Sequence, residues 1–351
     1  MSRHYFIAAA ALLGLIAASC SKNDVSENTT PDNAIGFGTY SLQSKAATDL
    51  FVDGTTHSNI PNGKAIGVYG YVHNGSNWAT DHATATPNIF NNVPVTAASA
   101  DGTLFNYSPS RYWPANTTTV ISFYAYYPQS GAGITPAVTT GMGSYAFETQ
   151  ALAANQVDFL VSDLEADQSK TNGKPADGSV DLKFHHMLCQ VKATADASSE
   201  LKGNSGYKSC TVTKIEIVGV NSKGTLTPAN TDGVAANTTF TWTGQNTVAT
   251  YTAGDPTVKA NILLLMPQTL PSTAKIKVTY NIVFNYSSDK TDATKDVTYS
   301  NNIKEATLPT AAVLSWEKNK IYNYTIAVNL DRIEFTSSVT AWDATETNVS
   351  L

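Results

Sequence analysis

Seven glycines in this chain directly follow Asp or Asn, and they are spread along its length. Asp-Gly stands at Asp53, Asp101, Asp177 and Asp232, and Asn-Gly at Asn62, Asn74 and Asn172. Such dipeptides accept the positive φ angles of tight hairpin turns at low cost. Between them lie short runs rich in Val, Ile, Thr, Tyr and Phe, and no segment keeps a helical period beyond a turn or two. The combination predicts antiparallel connections throughout and an all-β fold of the sandwich class.

The clearest runs are 65–72, 119–127, 183–194, 210–220, 258–266, 275–286 and 320–330. In 275–286, Ile276, Val278, Tyr280, Ile282 and Phe284 alternate with polar residues apart from Val283, which predicts a half-buried strand with one wet face. The run 261–267 is apolar on both faces and ends at Pro267, so it reads as a central strand. The stretch 163–179 is polar and holds Gly173, Pro175 and Gly178. It reads as the connection between two domains, with the boundary near residue 180. A chain of 351 residues suits two domains of ordinary size.

The first residues constrain location. Arg3 and His4 precede an apolar run from Phe6 to Ala18. A bilayer-spanning helix needs about 20 apolar residues, so this run is too short to remain as a span. It has the length of a signal-peptide core. It ends Ala17-Ala18-Ser19-Cys20, the small-residue sequence before Cys that a lipoprotein signal peptidase cuts. Residues 1–19 are therefore expected to be a signal peptide cut between Ser19 and Cys20, with acyl chains such as palmitate on Cys20. Each buried methylene contributes roughly 0.8 kcal/mol, so two or three chains anchor stably where one does not. Residues 20–33 are polar and unpatterned, as a flexible tether would be.

The formal charge is −6 and no Lys/Arg cluster occurs, which argues against nucleic-acid binding and a polybasic membrane patch. No His-Glu-x-x-His, Cys-x-x-Cys, phosphate loop or Gly-x-Ser-x-Gly turn is present. Neither an enzymatic activity nor a metal or other cofactor is expected. His185 and His186 are adjacent in a strand pattern, so they face opposite ways and cannot share a metal. Asp163, Glu165 and Asp167 read as a solvated loop. Asn230 to Asp232 resembles a turn more than a calcium loop. An exported location permits a disulfide between Cys189 and Cys210, but both lie in apolar, strand-like stretches, where free Cys is a common core residue. The aromatic groups Tyr112-Trp113 and 123–127 suit packing better than sugar stacking, with Phe123, Ala125 and Tyr127 on one face and Tyr124 and Tyr126 on the other. One of those two faces is expected to be core.

Several segments occur in an order that resembles the fimbrillin family, the pilins and pilus-associated lipoproteins of Bacteroidales-type bacteria. After the leader come Ile35 to Tyr40 and Ser44-Lys45-Ala46-Ala47, then Tyr112-Trp113-Pro114, Ile121 to Pro128 and Val157 to Ser162. Leu182 to Leu188, Leu264 to Gln268, Trp316 with Lys320 to Thr325, and finally Trp342 follow. The resemblance implies two tandem transthyretin-like β-sandwich domains, 34–180 and 181–351. It implies a lipidated precursor carried to the outer-membrane surface, cut there by a trypsin-like protease, and joined to other pilin subunits by strand exchange into a fimbrium that supports cell adhesion to a host glycan or protein. The cut would fall at Lys45-Ala46, whereas the family often has Arg before the bond.

The residues themselves can be set against that implied mechanism. Residues 34–44 would span about 36 Å when extended, one full strand position. Ile35 and Phe37 would plug the core on one face, with Tyr40 and Leu42 on the other unless a bulge near Gly38 brings them into phase. Removing this strand would expose unpaired backbone groups beside an apolar trough. The donor would be 331–351, where Ile333, Phe335, Val339 and Ala341 share an alternating face; the same residues could equally form the last strand of their own domain. The alternative function is a surface glycan-binding lipoprotein, for which exposed aromatic rings would be required.

Overall fold

The computed structural model describes residues 33–40, 50–52, 55–57, 59–99, 104–116, 118–150, 155–170, 179–244, 248–252, 262–310 and 312–342. Of the seven Asx-Gly dipeptides, three lie wholly within these residues. Gly63, Gly75 and Gly233 all have positive φ, as hairpin turns require. The chain is all-β. Its α-helices among the described residues are single turns, Trp78–Asp81 and Ser199–Lys202, each capped at its start by a side chain (Asn77 and Ser198) that accepts a backbone N–H.

The first sheet runs in the order Gly36–Tyr40, Ser179–His186, Leu160–Ser162, Thr119–Tyr127, Ala65–Asn74, Phe90–Ala97, Phe105–Asn106. Its middle strand, Thr119–Tyr127, is buried on both faces. Phe123, Ala125 and Tyr127 enter a core with Ile66, Val68, Phe90 and Leu182. Tyr124 and Tyr126 enter a second core with Tyr69, Tyr71, Tyr145, Leu226, Leu264 and Trp342. Both faces of 123–127 are therefore core, not one. Gly67 on the neighbouring strand makes this possible, since a Cβ there would stand 2.4 Å from the Tyr126 ring. The sheet curls until its ends meet: Ile35 N–H donates to the Arg111 carbonyl (2.8 Å) and Trp113 N–H to the Asn33 carbonyl (2.9 Å).

The C-terminal half holds two facing four-stranded sheets. One has the order Val248–Thr252, Tyr207–Asn221, Lys275–Phe284, Val297–Thr307; the other Ile262–Leu265, Cys189–Ala197, Lys320–Val328, Ile333–Ala341. Val191, Ile215, Ile217, Ile276, Val278, Tyr280, Tyr324 and Ile326 from both sheets fill one core. The expected alternation in 275–286 is present, with Ile276, Val278, Tyr280, Ile282 and Phe284 buried. A further sheet, Ile134–Ala137, Ser144–Glu148, Lys223–Ala229, Thr239–Gly244, joins strands from both halves of the chain.

Three sequence expectations need correction. The run 183–194 is two strands, Ser179–His186 and Cys189–Ala197, in different sheets. The chain passes between them at Met187 and Leu188, both fully buried, so apolarity continues through the break and conceals it. Ile262–Leu265 is an edge strand: among the described residues its one strand partner is Cys189–Ala197. It is apolar on both faces because Leu263 and Leu265 face the C-terminal core while Leu264 faces the second core. Its open edge is partly satisfied by the Gln156 side chain, which accepts the Leu264 N–H at 2.6 Å. Within 163–179, Glu165–Gln168 is a strand on Thr119–Tyr127, stabilised by a partner remote in sequence. The 180/181 division falls inside Ser179–His186, and residues 171–178 lie outside those described.

Candidate strand-exchange site

Gly36–Tyr40 forms one edge of the first sheet. It runs parallel to Ser179–Lys183 in an unbroken register, Gly36 opposite Ser179 through Tyr40 opposite Lys183. No bulge interrupts it near Gly38. Ile35 and Phe37 point into the core and are almost fully buried, at 1% and 5% exposure. The Phe37 ring lies 5.2 Å from Phe90, 5.8 Å from Tyr107 and 5.7 Å from Phe123, edge to face with each. Such aromatic pairs contribute about 0.5–1.5 kcal/mol each beyond area burial.

On the opposite face of this strand stand Gly36 and Gly38. A Cβ at Gly38 would come to 3.0 Å from Asp181 Oδ1. Glycine is a poor strand former, lacking a side chain to pack and losing much conformational freedom. The strand is therefore held by its inward plugs and by backbone bonds. One further bond helps: the Tyr107 hydroxyl donates to the Ile35 carbonyl at 2.6 Å. Burial pushes the Tyr107 phenol above its ordinary pKa, outweighing the lowering effect of the Arg111 backbone hydrogen bond and charge. The Arg111 guanidinium covers the Phe90 ring at 4.6 Å from its centroid, so the trough is capped by a cation on aromatic rings.

The candidate donor residues lie on Ile333–Ala341. This strand pairs antiparallel with Lys320–Val328 along its whole length, as the outer strand of its own sheet. Ile333 is buried, Phe335 and Val339 are half-buried against the core, and Ala341 is exposed. Phe335 meets Tyr324 edge to face at 5.6 Å. Of the two readings left open, Ile333–Ala341 takes the place of a strand in this chain's own sheet. Residues 343–351, Ser19, Cys20, Leu42, Lys45 and Ala46 lie outside the described residues.

The remaining candidates resolve as structure. His185 and His186 diverge, His185 Nε2 lying 2.9 Å from Asp163 Oδ2 and His186 Nδ1 2.6 Å from Asp158 Oδ2. Asn230 and Asp232 bind their own turn, accepting the Gly233 and Val234 N–H groups. Cys189 and Cys210 are free thiols. Asp163 is buried and not part of a solvated loop. Beside it, Glu165 is pushed up to about 7, first by burial and then by the charges of Asp163 and Asp181, against the lowering effect of Lys183. Asp181, Lys183 and His185 of that cluster lie on Ser179–His186, the strand that pairs with Gly36–Tyr40. The cluster's residues are scattered over 163–185, so only the tertiary fold reveals it.

Residues 54–342 match the family model described as fimbrillin-like. The chain belongs to the fimbrillin-like family. Its fold is similar to the crystal structure of a fimbrial protein from Bacteroides vulgatus, with 18% identity, a TM-score of 0.57, and coverage of 88% of this chain and 99% of that one. It is also similar to candidate cell-adhesion proteins from Bacteroides uniformis (15% identity, TM-score 0.53, coverage 89% and 99%) and Bacteroides ovatus (16%, 0.51, 88% and 96%). A comparison with curated protein sequences finds no match. Membership of a fimbrillin-like family makes this a structural or adhesive protein of a cell-surface appendage, not an enzyme.

Proposed function

We propose that this fimbrillin-like chain is a pilus subunit exported as a lipoprotein and assembled by strand exchange. In this reading Cys20 carries the lipid that brings the precursor to the outer-membrane surface. A protease cuts at Lys45-Ala46, and the segment holding Gly36–Tyr40 leaves. The C-terminal strand of a neighbouring subunit then enters the vacated edge, and the neighbours form a fimbrium. For the tandem domain arrangement, one core lies in each half of the chain, while a third, which holds Met187 and Leu188, draws on both halves.

The observation that carries the reading is the seating of Phe37. A short edge strand with two glycines places one ring among Phe90, Tyr107 and Phe123. Its loss would open an apolar trough beside five unpaired ladder positions, from Ser179 to Lys183, which is a template for an incoming strand. The glycan-binding alternative has less support. Tyr124, Tyr126 and Trp113 are buried, leaving Tyr112 as the exposed member of the aromatic groups read from the sequence.

Limited trypsin digestion of the purified precursor tests the reading. Cleavage near Lys45 should be followed by a ladder of oligomers on a gel, and Lys45→Ala should abolish both. A chain that is cut at Lys45 yet stays monomeric with its C-terminus intact would sink the proposal.

A further inference from the structure

One strand touches both ends of the described chain. Ser179–His186 pairs with Gly36–Tyr40 through Ser179–Lys183. Its last three residues pair instead with Leu160–Ser162. Its final residue, His186, lies flat against Trp342, with 3.9 Å between ring centroids and 16° between planes. Trp342 directly follows Ile333–Ala341, the candidate donor strand. So the strand that seats the N-terminal plug also seats the C-terminal end.

The C-terminal strand has few other anchors. Between Ile333 and Trp342, both nearly fully buried, every residue is half-buried or exposed. Beyond its ladder to Lys320–Val328 and the half-buried packing of Phe335 and Val339, the strand is fixed at these two pins. At the second, Trp342 N–H donates to the Asn319 carbonyl, and Asn319 N–H donates to the Leu188 carbonyl two residues past His186. The His186 ring is itself fixed by Asp158, 2.6 Å from Nδ1 and fully buried. Moving His186 would leave a buried carboxylate without that partner, which is costly. The position of Trp342 is thereby tied to the position of Ser179–His186.

The first part of that strand depends on Gly36–Tyr40. Antiparallel pairing with Leu160–Ser162 begins only at Phe184, and Asp163 N–H bonds the Lys183 carbonyl just before it. Residues 179–182 have Gly36–Thr39 as their ladder partners. Removing the first strand takes away these backbone bonds, together with the Phe37 ring packed beneath.

We propose that Ser179–His186 couples the two ends of the chain. With Gly36–Tyr40 in place, it holds His186 against Trp342 and keeps Ile333–Ala341 in its own sheet. When the first strand leaves, the seat of Trp342 slackens and the C-terminal strand becomes free to be donated. A subunit would then offer its donor strand only after its own groove has opened. The coupling takes its purpose from the strand-exchange reading, but it is a property of the isolated chain and is measured there.

Backbone hydrogen exchange on the full chain provides the test. Phe37→Ala should speed exchange in 36–40 and 179–183, and also in 333–341 by about tenfold, equivalent to about 1.4 kcal/mol. The 275–284 amides should be unaffected. Trp342→Ala should raise exchange in 333–341 to a similar level, and adding Phe37→Ala to it should raise that region no further. The proposal is overturned if Phe37→Ala loosens 36–40 and 179–183 while 333–341 stays protected, or if the two substitutions simply add. Should Phe37→Ala not fold, Phe37→Leu serves in the same comparison. Absence of oligomer ladders after trypsin, with this coupling intact, would count against strand exchange alone.

Discussion

Phe37 of the edge strand meets Phe123 of the middle strand edge to face, with 81° between ring planes. One side chain thus ties the N-terminal strand to the centre of the first sheet. Phe37→Ala should therefore destabilise the protein by about 3–5 kcal/mol, the usual cost of removing a buried phenyl ring. Urea denaturation followed by far-ultraviolet circular dichroism would measure it. A loss under about 1 kcal/mol would mean that the ring is not seated as described.

Tyr107 holds the same strand from the other side through its bond to the Ile35 carbonyl. Tyr107→Phe keeps the ring and its packing on Phe37 but removes that donor. The expected cost is about 1 kcal/mol, with faster proteolysis of the first strand. Equal stability and equal trypsin sensitivity in the two proteins would contradict it.

Glu165 introduces a pH dependence whose sign can be worked out. Its folded pKa of about 7 stands above the ordinary 4.5 because burial and Asp163 disfavour the charged form. A carboxyl raised in this way contributes stability that is fully present below about 4.5 and is lost as pH rises through about 7. Glu165→Gln should flatten the melting temperature across that window. It should also stabilise the protein at pH 8 by about 2 kcal/mol, allowing for partial screening by solvent. An unchanged pH profile in the variant would place the dependence elsewhere.

Cys20 is the proposed lipid site. Cys20→Ala should abolish incorporation of labelled palmitate in cells and move the protein from the detergent to the aqueous phase on partition. Full labelling of the variant would remove the lipoprotein assignment.

Much of the architecture is legible in the sequence because it is written locally. Thr119–Tyr127 and the alternation from Ile276 to Phe284 follow from side-chain period alone. The turns at Gly63, Gly75 and Gly233 follow from glycine chemistry. What stays hidden depends on distant partners. Apolarity on both faces of Ile262–Leu265 reports burial, yet burial between two cores looks the same as a central place in a sheet. Glu165–Gln168 has the composition of a loop and becomes a strand through Phe123 and Ile121. For the candidate site, the inward pair Ile35 and Phe37 is readable by alternation. The parallel partner more than a hundred residues away, and the stacking of Trp342 on His186, are not.

The direction of the first ladder has a mechanical consequence. Gly36–Tyr40 and Ser179–Lys183 run the same way over five paired positions. Traction along that axis, with the body of the subunit held, strains all of those bonds together instead of unzipping them in turn. A strand entering this edge with the same direction would inherit that shear geometry. Joints of this kind yield to a peeling force far sooner than to a pull along the strand axis.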